Sequence, residues 1–443
     1  MKLNIYATSQ GKNTENYRIV GKTDDGVENE VLNIYDEITY QTFEGFGGAL
    51  TDAAGSIYAL LNDEQKEQML DMYFGKGNME YNRVRIHMDS CDFSTHMYEA
   101  APDEDDEYFE HFSFADTEKY IIPLLKDVEK KAGKKMKIML SPWSPPAYMK
   151  TNGSRKNGGS LKLEYRKRWA AYLCRYIMEF KKRGFEVERI SVQNEPKAVQ
   201  TWDSCVYTAQ EEKEFLRDYL VPEMKQYGLG DIEVFVWDHN KERIYDRARD
   251  IIDDTTKDCI AGVAYHWYSG DHFEALDLVR QQFPNQKLIL SESCLEFSKF
   301  EKESETENAE RLAHDMIGNL NHGMNGFYDW NVILNSEGGP NHVQNLCDAP
   351  YLYDVQKKEL IERTCLKYYW HFAHFIKPGA IRVAHSRYTD QLDMTVWKNP
   401  DGELSIILLN RSNEEQNCFL RFDGKMFEMR VDAHSILSGT IEE

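Results

Sequence analysis

Ser191-Val192-Gln193-Asn194-Glu195-Pro196 drives an apolar run directly into a glutamate, and Leu288-Ile289-Leu290-Ser291-Glu292-Ser293 does the same. A carboxylate at the end of a buried strand is costly unless it is paired or used. Both stretches read as strands whose C-terminal ends share one rim. Working outward, short apolar runs recur at 84–86, 136–140, 189–192, 232–236, 260–264, 287–290 and 326–328, and Phe43-Glu44-Gly45-Phe46-Gly47-Gly48 supplies an opening strand. Amphipathic stretches at 165–182, 211–225 and 310–320 fill gaps between them. Eight β–α units in succession predict an α/β fold of the (β/α)8 TIM-barrel type. A doubly wound open sheet is the competing architecture, but no GxGxxG or GxxxxGK[ST] loop follows a strand.

The chain ends read differently. Residues 1–42 alternate short β-prone runs with polar turns, as in Tyr17-Arg18-Ile19-Val20 and Glu30-Val31-Leu32-Asn33-Ile34-Tyr35. Near the C-terminus, two β-prone runs flank Asn399-Pro400-Asp401-Gly402, and Asp423-Gly424 marks a second hairpin turn. The sequence therefore predicts N-terminal sheet strands over 1–42, a barrel over 43–378, and C-terminal strands of the same side unit over 379–443.

Composition narrows the function. A formal net charge of −22 argues against nucleic acid or an anionic membrane as partner. No run approaches the length of a membrane span, and the start Met1-Lys2-Leu3-Asn4-Ile5-Tyr6 lacks a secretory apolar core. The eight cysteines are scattered, with no CxxC or Cys/His ligand spacing. A reduced, cytoplasmic protein is the expectation. The 8 Trp and 26 Tyr supply flat rings of the kind that stack on sugar faces.

The rim carries the chemistry. In such barrels active-site residues come from the strands' C-terminal ends, and here those positions hold Arg85 and Asp92, Trp143, Asn194 and Glu195, Asp238, His266 with Tyr268, Glu292, and Trp330. A structural rim has no reason to gather polar and aromatic groups at nearly every strand. Two carboxylates on one rim are the minimum needed to cleave a glycosidic bond. A metal-dependent hydrolase is the first rival, because His87, His239 and His266 lie near strand ends; no HxH or HExxH set is present, so no metal and no other cofactor is expected. His371 and His374 fall within an apparent helix over 362–375 and read as packing residues. A sugar-binding barrel without turnover is the second rival, and it would lack one of the glutamates.

These motifs resemble glycoside hydrolase family 30, the family of glucosylceramidases and β-1,6-glucanases. The likeness runs in order through Gly45-Phe46-Gly47-Gly48, Ser90-Cys91-Asp92-Phe93-Ser94, Ser141-Pro142-Trp143, Asn194-Glu195-Pro196, His266-Trp267-Tyr268, Ser291-Glu292-Ser293-Cys294 and Asp329-Trp330-Asn331. The stretch Glu337-Gly338-Gly339-Pro340-Asn341 is the most particular to the family. The resemblance implies a barrel with a side β-sandwich built from both chain ends. It makes Glu195 the acid/base and Glu292 the nucleophile of a retaining glycosidase that works through a covalent glycosyl-enzyme. Asn194 would hold the sugar 2-hydroxyl, Asp92, Trp143, Trp330 and Asn345 the non-reducing-end sugar, and the Tyr268 hydroxyl a catalytic carboxylate. His87 and Asp89 depart from the mammalian pattern of small or apolar residues and bear on which sugar is taken.

Retention calls for the two carboxyls about 5–5.5 Å apart. At that range ionised Glu292 is expected to raise the Glu195 pKa, so that Glu195 arrives protonated. Trp202, in the loop after the acid/base, reads as a platform on the aglycone side. The substrate expected is a small β-glucoside or β-1,6-linked oligosaccharide; xylosides, fucosides and galactosides are the alternatives within the family. No basic, lipid-seeking surface is evident, which disfavours glucosylceramide.

Overall fold

A computed structural model describes residues 1–300 and 302–442. Eight parallel strands close a barrel: β1 (Gly45–Ala49), β2 (Arg83–Met88), β3 (Lys137–Pro142), β4 (Glu186–Ser191), β5 (Glu233–Asn240), β6 (Gly262–His266), β7 (Lys287–Glu292) and β8 (Gly326–Asp329), with β8 pairing β1. Each of the eight apolar runs that the sequence assigned to the barrel is one of these. The strands are buried on both faces, which is why they read as nearly continuous apolar runs rather than as alternations. Strand β1 lies so close to β2 that a Cβ on Gly47 would stand 2.4 Å from the Arg83 carbonyl oxygen. Only glycine admits that approach.

Helices cover the outside. Arg166–Lys182 buries Trp169, Leu173, Ile177 and Phe180, a 3–4-residue spacing that lays one apolar stripe on the barrel. It stops at Gly184, whose φ of 82° suits a residue without Cβ and whose N–H caps the Lys181 carbonyl. Among the described residues no helix is long and apolar enough to cross a membrane.

The two barrel ends differ. At the N-terminal end, Arg189 bonds Glu44 at 2.8 Å, Glu188 at 2.8 Å and Glu233 at 3.0 Å, while Lys287 reaches Glu44 at 2.6 Å. Burial would raise the Glu44 pKa, yet Arg189, Arg83 and Lys287 bring it down to about 2. Above this ionic floor a small apolar plug of Met139, Phe235, Ala264, Ile289 and Tyr328 fills the lumen. The interior is thereby sealed from below, and only the C-terminal rim is open to a ligand.

The chain ends build a second body. Lys2–Ser9 pairs antiparallel with Ser435–Glu442, Leu3 opposite Ile441, so the first and last strands are neighbours in one sheet system. Leu392–Lys398 and Leu404–Asn410 form the hairpin expected around Asp401-Gly402, with Gly402 at φ 91°. Asp423 and Gly424, both at positive φ, make the second turn. Leu404–Asn410 is buried throughout because its faces serve different cores: Ile406 and Leu408 pack inside the sandwich, Ile407 and Leu409 against the barrel body. His371 fastens the joint. Its ring bonds Thr8 at 2.9 Å and Ser438 at 2.8 Å from helix Thr364–Phe375. His374 likewise stacks on Trp370.

The sequence reading did not anticipate a small sheet of Leu334–Asn335, Tyr351–Asp354 and Glu359–Glu362 after β8. It holds the 336–350 loop, which carries Asn341 and Asn345, against the rim.

Candidate active site

The rim opens into a cavity of about 180 Å³. Glu195 and Glu292 both line it, together with Asp92, Trp143, Asn194 and Trp202. Tyr268, Trp330 and Asn345 complete the expected wall. Of the ten residues read from the sequence as sugar contacts, Arg85, Asp238 and His266 do not reach the cavity surface. They stand behind the two glutamates and hold them.

Arg85 is the centre of that support. Fully buried in the middle of β2, it donates to Glu292 at 2.7 Å, Asn194 at 2.7 Å, Asp238 at 3.0 Å and Ser141 at 3.2 Å. Its guanidinium also lies 5.0 Å from the Trp143 ring and 5.4 Å from the Trp330 ring. The two indoles stack at 5.4 Å with their planes 19° apart. One side chain thus fixes a nucleophile candidate, its asparagine neighbour and an aromatic wall. Removing it would leave two buried carboxylates without their cation, so Arg85→Met is expected to cost about 3–5 kcal/mol of folding stability. The urea midpoint measures this, and a loss below about 1 kcal/mol would show that water replaces the guanidinium.

Asp238 reaches the site through an irregularity. The β5–β6 register shifts between Trp237 and His239, and Trp237 and Asp238 take φ of 74° and 50°. An inserted residue turns neighbouring side chains to one side of the sheet. Asp238 can therefore accept from Arg85, Ser191 (2.6 Å), Ser291 (2.5 Å) and His266 (3.1 Å), while His239 is still directed at the cavity. Burial pushes the Asp238 carboxyl up, but Arg85, His266 and Ser191 hold it well below the usual carboxylate range. Positive φ recurs at Asp89, Glu195 and Asn331, a clustering of strained backbone at this rim.

The two glutamates live in opposite surroundings. Glu292 accepts from Arg85 and, at 2.8 Å, from the Tyr268 hydroxyl. Both partners are donors turned toward its carboxylate oxygens. Glu195 faces imidazoles instead: His239 Nδ1 and His266 Nδ1 each lie 3.3 Å from its Oε1. The expectation that Glu292 would raise the Glu195 pKa does not hold in the free protein. Burial does push Glu195 up, yet His239 and His266 outweigh it and hold the carboxyl well below its usual value. His266 is the other half of the exchange. Burial alone would lower it, but Glu292, Asp238 and Glu195 bring it up to about 9. The Glu195–His266 pair shares one proton, and in the free protein it rests on the imidazole.

Asp92 is buried beneath the Asn341 and Asn345 amides, which donate at 3.3 and 3.1 Å. Burial and then Glu292 push it up to about 7. His87 and Asp89 lie outside the cavity wall. His87 Nε2 accepts the Asp52 N–H at 2.9 Å, and Asp89 is tied to Tyr172 at 2.6 Å and Arg155 at 3.4 Å. Their departure from the family pattern therefore falls in the support, not on the sugar-facing surface. Gln200, Asn240, Glu296, Lys299 and Cys347 also line the cavity and were not singled out from the sequence. Gln200, Glu296 and Cys347 come from loops and Lys299 from the short helix Phe297–Phe300, where no period or strand end marks them. Asn240 ends β5, which runs four residues past the apolar run that announced it.

Residues 43–376 match the glycosyl hydrolase family 30 TIM-barrel domain and 379–438 the family 30 beta sandwich domain. The chain is similar to lysosomal acid glucosylceramidase of Mus musculus, 30% identical over 404 residues that span 87% of this chain and 78% of that protein. It is 24% identical to the endo-1,6-beta-D-glucanase neg1 of Aspergillus fumigatus over 84% of this chain and 78% of that one. Among solved structures, SrfJ from Salmonella typhimurium superimposes with a TM-score of 0.96 at 34% identity, covering 100% of both chains. The endo-beta1,6-glucanase BT3312 shares the fold, with a TM-score of 0.87 at 24% identity over 99% of each chain.

Proposed function

The chain belongs to glycosyl hydrolase family 30, and from that membership we propose that it is a retaining β-glycosidase with Glu292 as nucleophile and Glu195 as acid/base. The observation that carries this is the contrast between the two carboxylates: one held by a guanidinium and a phenol, the other by two imidazoles. A nucleophile needs permanent charge, and an acid/base needs a proton it can both give and take.

The reaction then runs in two displacements. Glu292 attacks the anomeric carbon while the glycosidic oxygen takes a proton from Glu195. Before that attack His266 hands its proton to Glu195 through Nδ1, so that Glu195 is left ionised after donation, and Asp238 at the His266 Nε2 keeps the ring oriented. Once Glu292 is esterified, Glu195 draws a proton from water, which releases the sugar with its original anomeric configuration. Asn194, fixed by Arg85, would bond the 2-hydroxyl. Asp92 and Asn345 would grip the hydroxyls of the non-reducing end against the stacked Trp143–Trp330 wall.

The substrate proposed is a β-glucoside or a β-1,6-linked gluco-oligosaccharide, in line with the names of the relatives. A cavity of about 180 Å³ is small beside the roughly 300–1,000 Å³ of drug-sized ligand sites. It suits one glycone ring and favours removal of single sugars from a chain end. The test is a panel of 4-nitrophenyl β-glycosides with β-1,6- and β-1,4-linked glucose disaccharides, read with proton NMR of the first anomer released. The expected outcome is highest kcat/KM on a glucoside and an initial β-anomer. An initial α-anomer would overturn retention, and xyloside or galactoside preference would overturn the glycone.

A further inference from the structure

We propose that Glu195, His239 and His266 form a binding site for a divalent transition-metal ion of the zinc type, and that the ion inhibits the enzyme by occupying the acid/base carboxylate. The binding claim stands on geometry alone; the inhibition rests on the role proposed above for Glu195.

Spacing is the first ground. One donor atom from each of Glu195, His239 and His266 lies within 4.8 Å of the other two, and both imidazole Nδ1 atoms are 3.3 Å from Glu195 Oε1. With bonds of about 2.0–2.1 Å, a tetrahedral zinc sets its donors about 3.3 Å apart. Two of the three edges, Glu195–His239 and Glu195–His266, already have that length.

Orientation is the second ground. His266 is fully buried, and its Nε2 donates to Asp238 Oδ1 at 3.1 Å, leaving Nδ1 directed at Glu195. A carboxylate behind a histidine, fixing which nitrogen faces the metal, is the supporting arrangement that zinc-bound histidines use. Asp238 is itself fixed by Arg85, Ser191 and Ser291. His239 Nδ1, although 3.3 Å from Glu195, has no well-aligned hydrogen bond among the described residues, so a metal bond there displaces nothing.

Charge and access are the third. Glu292 and Glu296 line the same cavity against one lysine, Lys299, so acidic groups outnumber basic ones around the site. His239 and Glu195 also face that cavity, which gives an ion an entry path and a fourth coordination position for water or a sugar hydroxyl. The donor set of two imidazoles and one carboxylate suits zinc or copper over calcium or magnesium. Sequence spacing hides the site, because its ligands come from three different strand ends and form no local motif.

The test uses the full-length protein and Zn²⁺ alone. Equilibrium dialysis with elemental analysis should give one bound Zn²⁺ per chain, and Zn²⁺ should inhibit hydrolysis of an aryl β-glycoside competitively. His239→Asn should weaken Zn²⁺ binding at least about tenfold while keeping the wild-type circular dichroism. If that variant does not fold, Glu195→Ala should produce the same loss. Cys347→Ser, the control for thiol binding at the cavity wall, should leave Zn²⁺ uptake unchanged. Uptake that survives His239→Asn, or disappears with Cys347→Ser, overturns the site. Dialysis does not depend on turnover, so histidine-dependent binding by a protein that cleaves no glycoside would sink the proposed activity and leave the metal site standing.

Discussion

Glu292→Gln is expected to lower kcat on the order of 10⁵-fold or more, to a rate at which no burst of aglycone is seen. The amide keeps the shape of the carboxylate and can still accept the Arg85 N–H, now 2.7 Å away, so folding should survive. What it loses is the negative charge that, in the proposed mechanism, attacks the anomeric carbon. No nearby group can substitute. Asp92 faces the same cavity but is bound by two amides and pushed up to about 7, so at neutral pH it is a poor nucleophile. Asp238 is ionised, yet it is walled off behind Arg85 and His266. The loss should appear in kcat on activated and unactivated aryl glycosides alike, because attack is required whatever the leaving group. In the wild type, a 2-deoxy-2-fluoro-glucoside should leave one sugar's mass on the peptide containing Glu292, and the variant should acquire none. A variant retaining more than about one-tenth of the wild-type rate, or a label found on another carboxylate, would remove Glu292 from the nucleophile's role.

The barrel and the sandwich were legible because their signals are local. Eight apolar runs separated by amphipathic stretches leave few topologies, and Asp401-Gly402 and Asp423-Gly424 announce hairpins through backbone that only a few residue types adopt readily. The rim residues were legible for a related reason, since each follows an apolar run. Their depth was not. Arg85, Asp238 and His266 look like Asp92 and Trp143 in sequence, all falling at strand ends, but the first three turn into the support. Which way Asp238 and His239 face depends on a one-residue irregularity in β5, and irregular register has no period to read. The state of Glu195 was hidden for a further reason. Sequence pairs it with Glu292, a like charge; the fold places His266 beside both, 3.3 Å from Glu195 and 3.9 Å from Glu292. The nearer opposite charge outweighs the repulsion.

That histidine shapes the second large effect, expected for Glu195→Ala. Loss of positioned acid/base catalysis is worth roughly 10²–10⁴-fold, and here it should divide by leaving group. Cleavage of a β-1,6 disaccharide, which needs its oxygen protonated, should fall through the whole of that range. A 2,4-dinitrophenyl glucoside departs without a proton, so its first step should persist and deglycosylation should become limiting, with KM falling as the glycosyl-enzyme accumulates. Azide is small enough for the space that the carboxylate vacates and needs no base to attack. It should therefore restore turnover of the activated substrate and yield a β-glucosyl azide. His266 sets a check that the alanine variant alone cannot supply. If the imidazole recharges Glu195, then His266→Asn should slow the disaccharide far more than the activated glucoside, and azide should not restore it, because the carboxylate still fills the space. Two observations would sink the acid/base assignment: no azide rescue in Glu195→Ala, or an equal loss on both substrates. Rescue in that variant with no leaving-group dependence in His266→Asn would keep Glu195 as acid/base and return His266 to a purely positioning role.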